Sequence, residues 1–177
     1  MQESLDEIED NINYINKIVS DLQDFTRSLN PVYEKICVND VIENAVSAVA
    51  IPSKIQIQII AQKIVIDADP AFLRRILTNL FTNAVQAMPN GGELTVEAEQ
   101  IEGNAVIRVR DTGVGIPEKV KPSLFTPLFT TKAKGQGLGL AVVKRIVEAM
   151  HGSISFESQV GKGTVFTIKI PVAQQEN

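Results

Sequence analysis

The chain has one cysteine, one histidine, no excess of positive charge and no long apolar run, and each scarcity narrows what it can be. Cys37 stands alone, which excludes an intramolecular disulfide and any multi-cysteine metal site, so a reducing, cytoplasmic setting is expected. Its own side chain is expected to pack as a small buried hydrophobe. Lys and Arg number 17 against 21 Asp and Glu, leaving a net charge of −4 and no basic stripe, so no nucleic-acid partner is expected. No apolar run nears the roughly 20 residues that span a bilayer. The acidic start MQESLDEIED is the opposite of a secretory signal, and an anchor upstream in a parent protein stays open. What is present, 44% apolar and 21% charged among 177 residues, suits one globular domain with a short appendage.

The appendage comes first. Leu5, Ile8, Ile12, Ile15, Val19, Leu22 and Leu29 recur in three- and four-residue steps, interrupted only by Thr26, which is a heptad seam. Ile18 and Phe25 widen it, which fits a helical hairpin or four-helix dimer bundle better than a two-stranded zipper. A solitary amphipathic helix folded onto its own domain is the alternative. Pro31 ends the helix, dividing the chain into residues 1–30 and 31–177.

Beyond Pro31 helices and strands mix. Asn39 or Asp40 is expected to cap a helix reaching about Ile51, with Ile55–Ile60 and Ile64–Asp67 as short strands around a turn. A helix follows from about Pro70 to Met88, then a turn at Pro89–Gly92. Leu94, Val96 and Ala98 alternate with polar residues, as do Ile107, Val109 and Asp111, giving a hairpin around Glu102-Gly103-Asn104. Thr112–Gly137 is long and aperiodic, the kind of loop that carries function. A helix over about Leu138–Met150, stopped by Gly152 in the C-terminal glycine position, precedes strands near Ile154–Glu157 and Thr164–Ile170. The fold class expected is α+β, with an antiparallel or mixed sheet and helices on one face.

Three segments carry polar groups where a plain core would not want them. Arg75, Asn79, Asn83 and Gln86 line one face of the second helix, opposite Leu73, Leu77, Leu80, Ala84 and Met88. A carboxamide oxygen there suits Mg²⁺, which takes few protein ligands when phosphates supply the rest; a solvated helix face is the plainer alternative. Asp111-Thr112-Gly113-Val114-Gly115-Ile116 starts where a strand runs out, and Asp111 shares the inward phase of Ile107 and Val109. A buried carboxylate needs a donor, for which an adenine amine would serve, and the glycines allow backbone to approach a flat ring; an ordinary turn is the alternative. Gly135-Gln136-Gly137-Leu138-Gly139-Leu140 opens directly into a helix, whose first N–H groups suit a triphosphate, with Lys132 nearby as a point charge. It is neither a Walker loop nor a dinucleotide fingerprint.

Asn79–Ala84, Asp111–Ile116, Leu124–Lys132 and Gly135–Leu140 resemble, in order and spacing, the N, G1, F and G2 boxes of sensor histidine kinases. Gly161–Phe166 resembles that family's last hairpin, so the likeness runs from Ile36 to Pro171, and the N-terminal helix resembles the second helix of the dimerisation and histidine-phosphotransfer hairpin. The resemblance implies a two-layer α/β sandwich, as in gyrase, MutL-type repair proteins and large heat-shock chaperones, with ATP between the Asn-bearing helix and a mobile lid. By position Asn83 would hold Mg²⁺ and Asp111 would contact adenine. Gly113, Gly115 and Ile116 would flank the ring, and Thr164 would reach it through water. Thr130, Thr131, Lys132, Gly135, Gln136, Gly137, Leu138, Gly139 and Leu140 would cover the phosphates, while Asn79 and Gln86 complete the helix face. Many members carry Lys or Arg where this chain has Gln86, which shifts phosphate neutralisation towards Lys132.

The hydrolytic relatives and the serine-kinase anti-sigma factors place a glutamate base at position 79. Asn79 cannot accept a proton near neutral pH, which disfavours activation of water or serine. A histidine acceptor needs less help, because neutral imidazole already offers a lone pair. His151, beside the glycine that ends a helix, has the setting of a structural or exposed residue. The acceptor is therefore expected upstream, on a helix of the parent kinase, with a response regulator and a homodimeric parent as further partners. A stand-alone nucleotide-sensing or dimerisation module, and an ATPase of the same superfamily, are the alternatives.

Overall fold

The computed structural model describes Ile12, Ile15, Asn16, Val19, Gln23, residues 29–130 and residues 137–172. In chain order the elements are β1 (Glu34–Cys37), α1 (Val38–Ser47), β2 (Ile55–Ala61), β3 (Val65–Ala68), α2 (Pro70–Ala87), β4 (Gly92–Ile101) and β5 (Asn104–Asp111). A single 3₁₀ turn at Lys121–Ser123 follows, then α3 (Gly139–Ala149), β6 (Ser153–Gln159) and β7 (Gly163–Pro171). Five strands form a mixed sheet in the order β2-β4-β5-β7-β6, parallel only between β2 and β4, and β1 pairs with β3 in a separate two-stranded ribbon.

The longest helix shows why these residues fold as they do. Asp69 caps α2, its carboxylate accepting from the N–H groups of Ala71 and Phe72 at 2.9 and 3.0 Å, and Pro70 occupies the first turn, where no N–H is needed. Such a cap stabilises by about 1 kcal/mol. Leu73, Ile76, Leu77, Leu80, Phe81 and Ala84 are buried along one stripe, against α1, α3 and strands β4, β5 and β7. Phe81 is fully enclosed, and a side chain of that size contributes roughly 1.5–3 kcal/mol by leaving water. Leu94, Val96, Ala98, Ala105, Ile107, Val109, Phe166, Ile168 and Ile170 supply the sheet's side of this core. On the other sheet face, Arg108 pairs with Glu99 and lies 3.9 Å from Glu97.

Four local expectations are corrected. The first helix begins at Val38 with Cys37 as its N-cap and ends at Ser47, not near Ile51. Asn39 and Asp40 therefore lie in its first turn, where the Asn39 carboxamide donates to the carbonyl of Ala61 at 3.4 Å instead of capping. Cys37 is half-buried, not enclosed. Strands β2 and β3 do not pair around their turn; β2 joins β4 and β3 joins β1, a strand too short to stand out from a linker in sequence. The helix expected over residues 1–30 lies outside the described residues except at Ile12, Ile15, Asn16, Val19 and Gln23, which are helical, and at Leu29 and Asn30, which are not.

The end of α3 departs most instructively. Gly152 was the expected left-handed position, yet His151 holds it, at φ +57°. The N–H of His151 bonds to the carbonyl of Glu148 at 3.0 Å and that of Gly152 to Val147 at 2.9 Å, a Schellman closure with histidine in the usual glycine place. Gly152 is needed for another reason: a Cβ there would lie 2.4 Å from the carbonyl oxygen of Lys169. The only histidine of the chain is thus an exposed helix stop carrying backbone strain. His151→Gly is expected to raise the melting temperature by about 3 °C, the equivalent of roughly 1 kcal/mol. A fall in melting temperature by calorimetry would contradict this.

Candidate functional site

The sheet places its polar groups in one row. Register pairs Leu94 with Asp111, Asp111 with Thr164 and Thr164 with Ser158, so these four residues stand side by side across β4, β5, β7 and β6 on the face that meets the helices. Asp111 and Thr164 are 5% and 4% exposed, which makes them two of the few buried polar side chains among the described residues. The Asp111 carboxylate accepts from the N–H of Gly113 at 2.9 Å, turning the chain sharply as β5 ends. Thr164 lies 2.9 Å, oxygen to oxygen, from the hydroxyl of Ser158.

The loop after Asp111 is pressed between α2 and the β6–β7 turn. A Cβ on Gly113 would lie 2.4 Å from the carbonyl of Ala87, and the N–H of Val114 bonds to that carbonyl at 3.0 Å. Gly115 has φ +71°, and a Cβ there would sit 2.2 Å from the carbonyl of Gln159, so both backbone conformation and space demand glycine. The N–H of Ile116 donates to the Ser158 hydroxyl at 2.8 Å, and the Lys121 ammonium donates to the Ser158 carbonyl at 2.7 Å.

Helix α2 connects this loop to the start of α3. Asn79, Asn83 and Ala87 are spaced by four and share one face. Ala87 meets the Asp111 loop at one end, and at the other a Cβ on Gly139 would lie 3.1 Å from the Asn79 carboxamide oxygen. Asn83 stands one turn from each contact. The Asn79 amide donates to the carbonyl of Arg75 at 3.0 Å, so its two ends face its own helix and α3. Arg75, Asn79 and Asn83 are half-buried and Gln86 is exposed.

Gly139 opens α3, and the preceding Leu138, 2% exposed, provides no side-chain cap. Gly137 turns at φ +67° against the backbone of Leu128 and Phe129, and Leu140 is half-buried. Phe125 is fastened edge-on to Phe156, 5.8 Å between ring centres, and Phe156 in turn contacts Phe166; Lys144 lies over the Phe125 ring at 5.9 Å. Thr130 is exposed, while Thr131, Lys132, Gly135 and Gln136 lie outside the described residues. Thr164, Asp111 and Gly113 thus meet one end of the Asn79–Asn83–Ala87 face of α2, and Gly139 meets the other. Sequence reasoning missed Ser158, because a serine in an alternating strand carries no signal until its cross-strand neighbours are known.

A second feature invisible in sequence is the tether of the segment before β1. The N–H of Val32 donates to the Asp69 carboxylate at 2.9 Å, and the Tyr33 hydroxyl donates to the carbonyl of Ala149 at 3.3 Å. Burial, and then the Asp69 charge, raise the pKa of Tyr33 above its usual value near 10, so this donor stays protonated throughout the neutral range. The tether thus joins the capped start of α2 to the end of α3, the two helices that frame the site.

Residues 68–174 match the family described as histidine kinase-, DNA gyrase B- and HSP90-like ATPase. The chain is 39% identical over 168 residues to sensor histidine kinase ZraS of Salmonella typhi, covering 92% of this chain and 36% of that protein. It is 31% identical over 182 residues to signal transduction histidine-protein kinase AtoS of Escherichia coli strain K12, covering 99% of this chain and 30% of that protein. It thus spans about a third of the length of these curated relatives. The solved mycobacterial sensor histidine kinase MprB superposes with a TM-score of 0.74 at 28% identity, over 81% of this chain and 100% of that one. No helix among the described residues is long and apolar enough to cross a membrane. With the family match spanning more than half of the sequence and these relatives matching nearly its whole length, the chain belongs to the histidine kinase-, DNA gyrase B- and HSP90-like ATPase family, as the ATP-binding catalytic domain of sensor histidine kinases.

Proposed function

We propose that Mg·ATP lies along the Asn79–Asn83–Ala87 face of α2, with adenine at Asp111 and the phosphates at the start of α3, and that its γ-phosphoryl group goes to a histidine outside this chain. The observation that carries this reading is the pair of contacts made by α2: the Ala87 carbonyl with Gly113 and Val114 at one end, the Asn79 carboxamide oxygen against Gly139 at the other, and Asn83 midway. An elongated ligand reaching from the Asp111 loop to α3 must pass over Asn83.

Each group has a defined task. The Asp111 carboxylate accepts from the adenine amine, Gly113, Gly115 and Ile116 bring backbone to the ring, and Thr164 completes the polar edge. The glycines through Gly139 bring helix N–H groups to the phosphates, where Thr130, Thr131 and Lys132 add donors and charge, and Gln86 adds a neutral amide. Among the described residues no three His, Cys, Asp or Glu side chains gather as a metal cage. The donor set therefore fits a Mg²⁺ that takes the Asn83 oxygen as protein ligand and draws its other ligands from phosphate and water. Bound there, Mg²⁺ would offset phosphate charge. Asn79, an amide engaged with its own helix, is no base for water, so this domain positions the phosphoryl group and leaves the nucleophile to its acceptor.

The proposal extends to the parent protein. Residues 1–30 act as the second helix of a dimerisation and histidine-phosphotransfer hairpin and 31–177 as the catalytic domain. Ile12, Ile15 and Val19 support this: they fall on one helix face and are 52%, 55% and 47% exposed in the single chain. The partners are the parent's histidine-bearing helix, a second subunit and a response regulator, in the cytoplasm.

Incubated with Mg²⁺ and γ-labelled ATP, the chain is expected to hold intact ATP non-covalently. Steady release of phosphate would move it to the hydrolytic branch, and acid-labile label on His151 would overturn the assignment of the acceptor. In the same assay Asn83→Ala should bind ATP with an affinity that no longer responds to EDTA.

A further inference from the structure

The hydroxyl of Ser158 makes three contacts and has one proton to give. It receives the N–H of Ile116 at 2.8 Å, lies 3.0 Å from the carbonyl of Gly163, and lies 2.9 Å from the hydroxyl of Thr164. A backbone N–H only donates and a carbonyl only accepts, so the Ser158 proton goes to Gly163. The contact with Thr164 must then be donated by Thr164, whose only hydroxyl proton is thereby used. Two lone pairs of Ser158 accept, from Ile116 and Thr164, and its donor and acceptor capacity is full.

The geometry points to Ser158 as a positioning residue for base selectivity: by taking the Thr164 proton it makes Thr164 an acceptor only, beside the Asp111 carboxylate. This rests on the reading that adenine lies at Asp111. Two neighbouring acceptors favour a purine that carries an exocyclic amine. If one water stands between Thr164 and the base, that water gives one proton to Thr164 and the other to an unprotonated ring nitrogen. A 6-oxo purine presents the opposite polarity at both places, an oxygen where the amine belongs and an N–H at the ring nitrogen. Ser158 also ties the Gly113–Ile116 loop, through Ile116, to the β7 residue that faces Asp111.

The test compares Kd for ATP and for inosine triphosphate, with Mg²⁺, on the full chain and on Ser158→Ala, Ser158→Cys and Ser158→Thr. The unchanged chain is expected to prefer ATP by at least ~100-fold, because a site that pairs an amine leaves buried groups unmatched when the amine is missing. Ser158→Ala frees the Thr164 hydroxyl to rotate and donate, and the preference should shrink at least ~10-fold. Ser158→Cys, nearly the same size but a weak donor and acceptor, should shrink it likewise even if the alanine variant folds poorly. Ser158→Thr keeps the hydroxyl and should restore the preference. A lower melting temperature with an unchanged ATP-to-inosine-triphosphate ratio in the alanine and cysteine variants would overturn the role of Ser158 and leave the adenine site standing. Failure of the unchanged chain to distinguish the two nucleotides would instead overturn the adenine site and this inference with it.

Discussion

Asp111→Asn should lower the affinity for ATP by at least about 100-fold, on the order of 3 kcal/mol, while the domain unfolds within about 1 kcal/mol of the unchanged protein. The two effects separate because the carboxylate has two tasks. As an acceptor from Gly113, 2.9 Å away, it shapes the loop, and a carboxamide oxygen can take that same bond. As the proposed acceptor for the adenine amine it is 5% exposed and poorly screened by water, and its replacement turns an NH₂ group towards another NH₂ group. Isothermal titration with ATP, alongside a denaturant melt, measures both. Binding within about threefold of the unchanged chain would mean that the base lies elsewhere, since a bond to a buried acceptor is worth more than that. Loss of folding together with binding would show that the loop, not recognition, is what Asp111 serves.

Gly163→Ala is expected to be the most destabilising single methyl in the site. Gly163 begins β7 at φ +100°, and a Cβ there would lie 1.9 Å from the carbonyl oxygen of Asp111. Neither partner can yield cheaply: the oxygen belongs to backbone paired in the central strand β5, and the next residue, Thr164, is held in register opposite Asp111. Relief requires β7 to move away from β5 at the row that carries Asp111, Thr164 and Ser158. A loss of more than about 3 kcal/mol, or roughly 10 °C in melting temperature, is expected, with ATP binding falling in parallel. Alanine at the turn glycine Gly161 makes a matched control, because a Cβ there meets nothing within 4 Å although φ is +77°. If the two variants melt alike, left-handed strain accounts for the cost and close packing against Asp111 does not.

Much of the domain could be read locally. The stripe of Leu73, Leu77, Leu80, Ala84 and Met88, together with the proline at position 70, located α2 to within a residue of its observed ends. Alternation located β4 and β5, with Glu102 and Gly103 at positive φ in the turn between them. The inward phase of Asp111 correctly implied its burial. These features were legible because helix period, strand period and turn chemistry depend on residues within a few positions of one another.

Other features depend on who meets whom at long range. Glu34–Cys37 becomes a strand only because Val65–Ala68 lies beside it, and Ile55–Ala61 runs parallel to β4 instead of folding back on β3. His151 takes the left-handed place of the helix closure while the glycine beside it, Gly152, is held where the Lys169 carbonyl crowds in, a constraint from a strand 17 positions away. The longer helices, the β4–β5 hairpin, the buried carboxylate and the glycine-bearing segments all follow from local periodicity and residue chemistry. That Asp111, Thr164 and Ser158 form one row, and that Asn83 stands between the contacts of Gly113 and Gly139, emerges only once strands and helices are packed together. Strand register and helix docking are set by the packing of the whole core, and no stretch of a dozen residues contains that information.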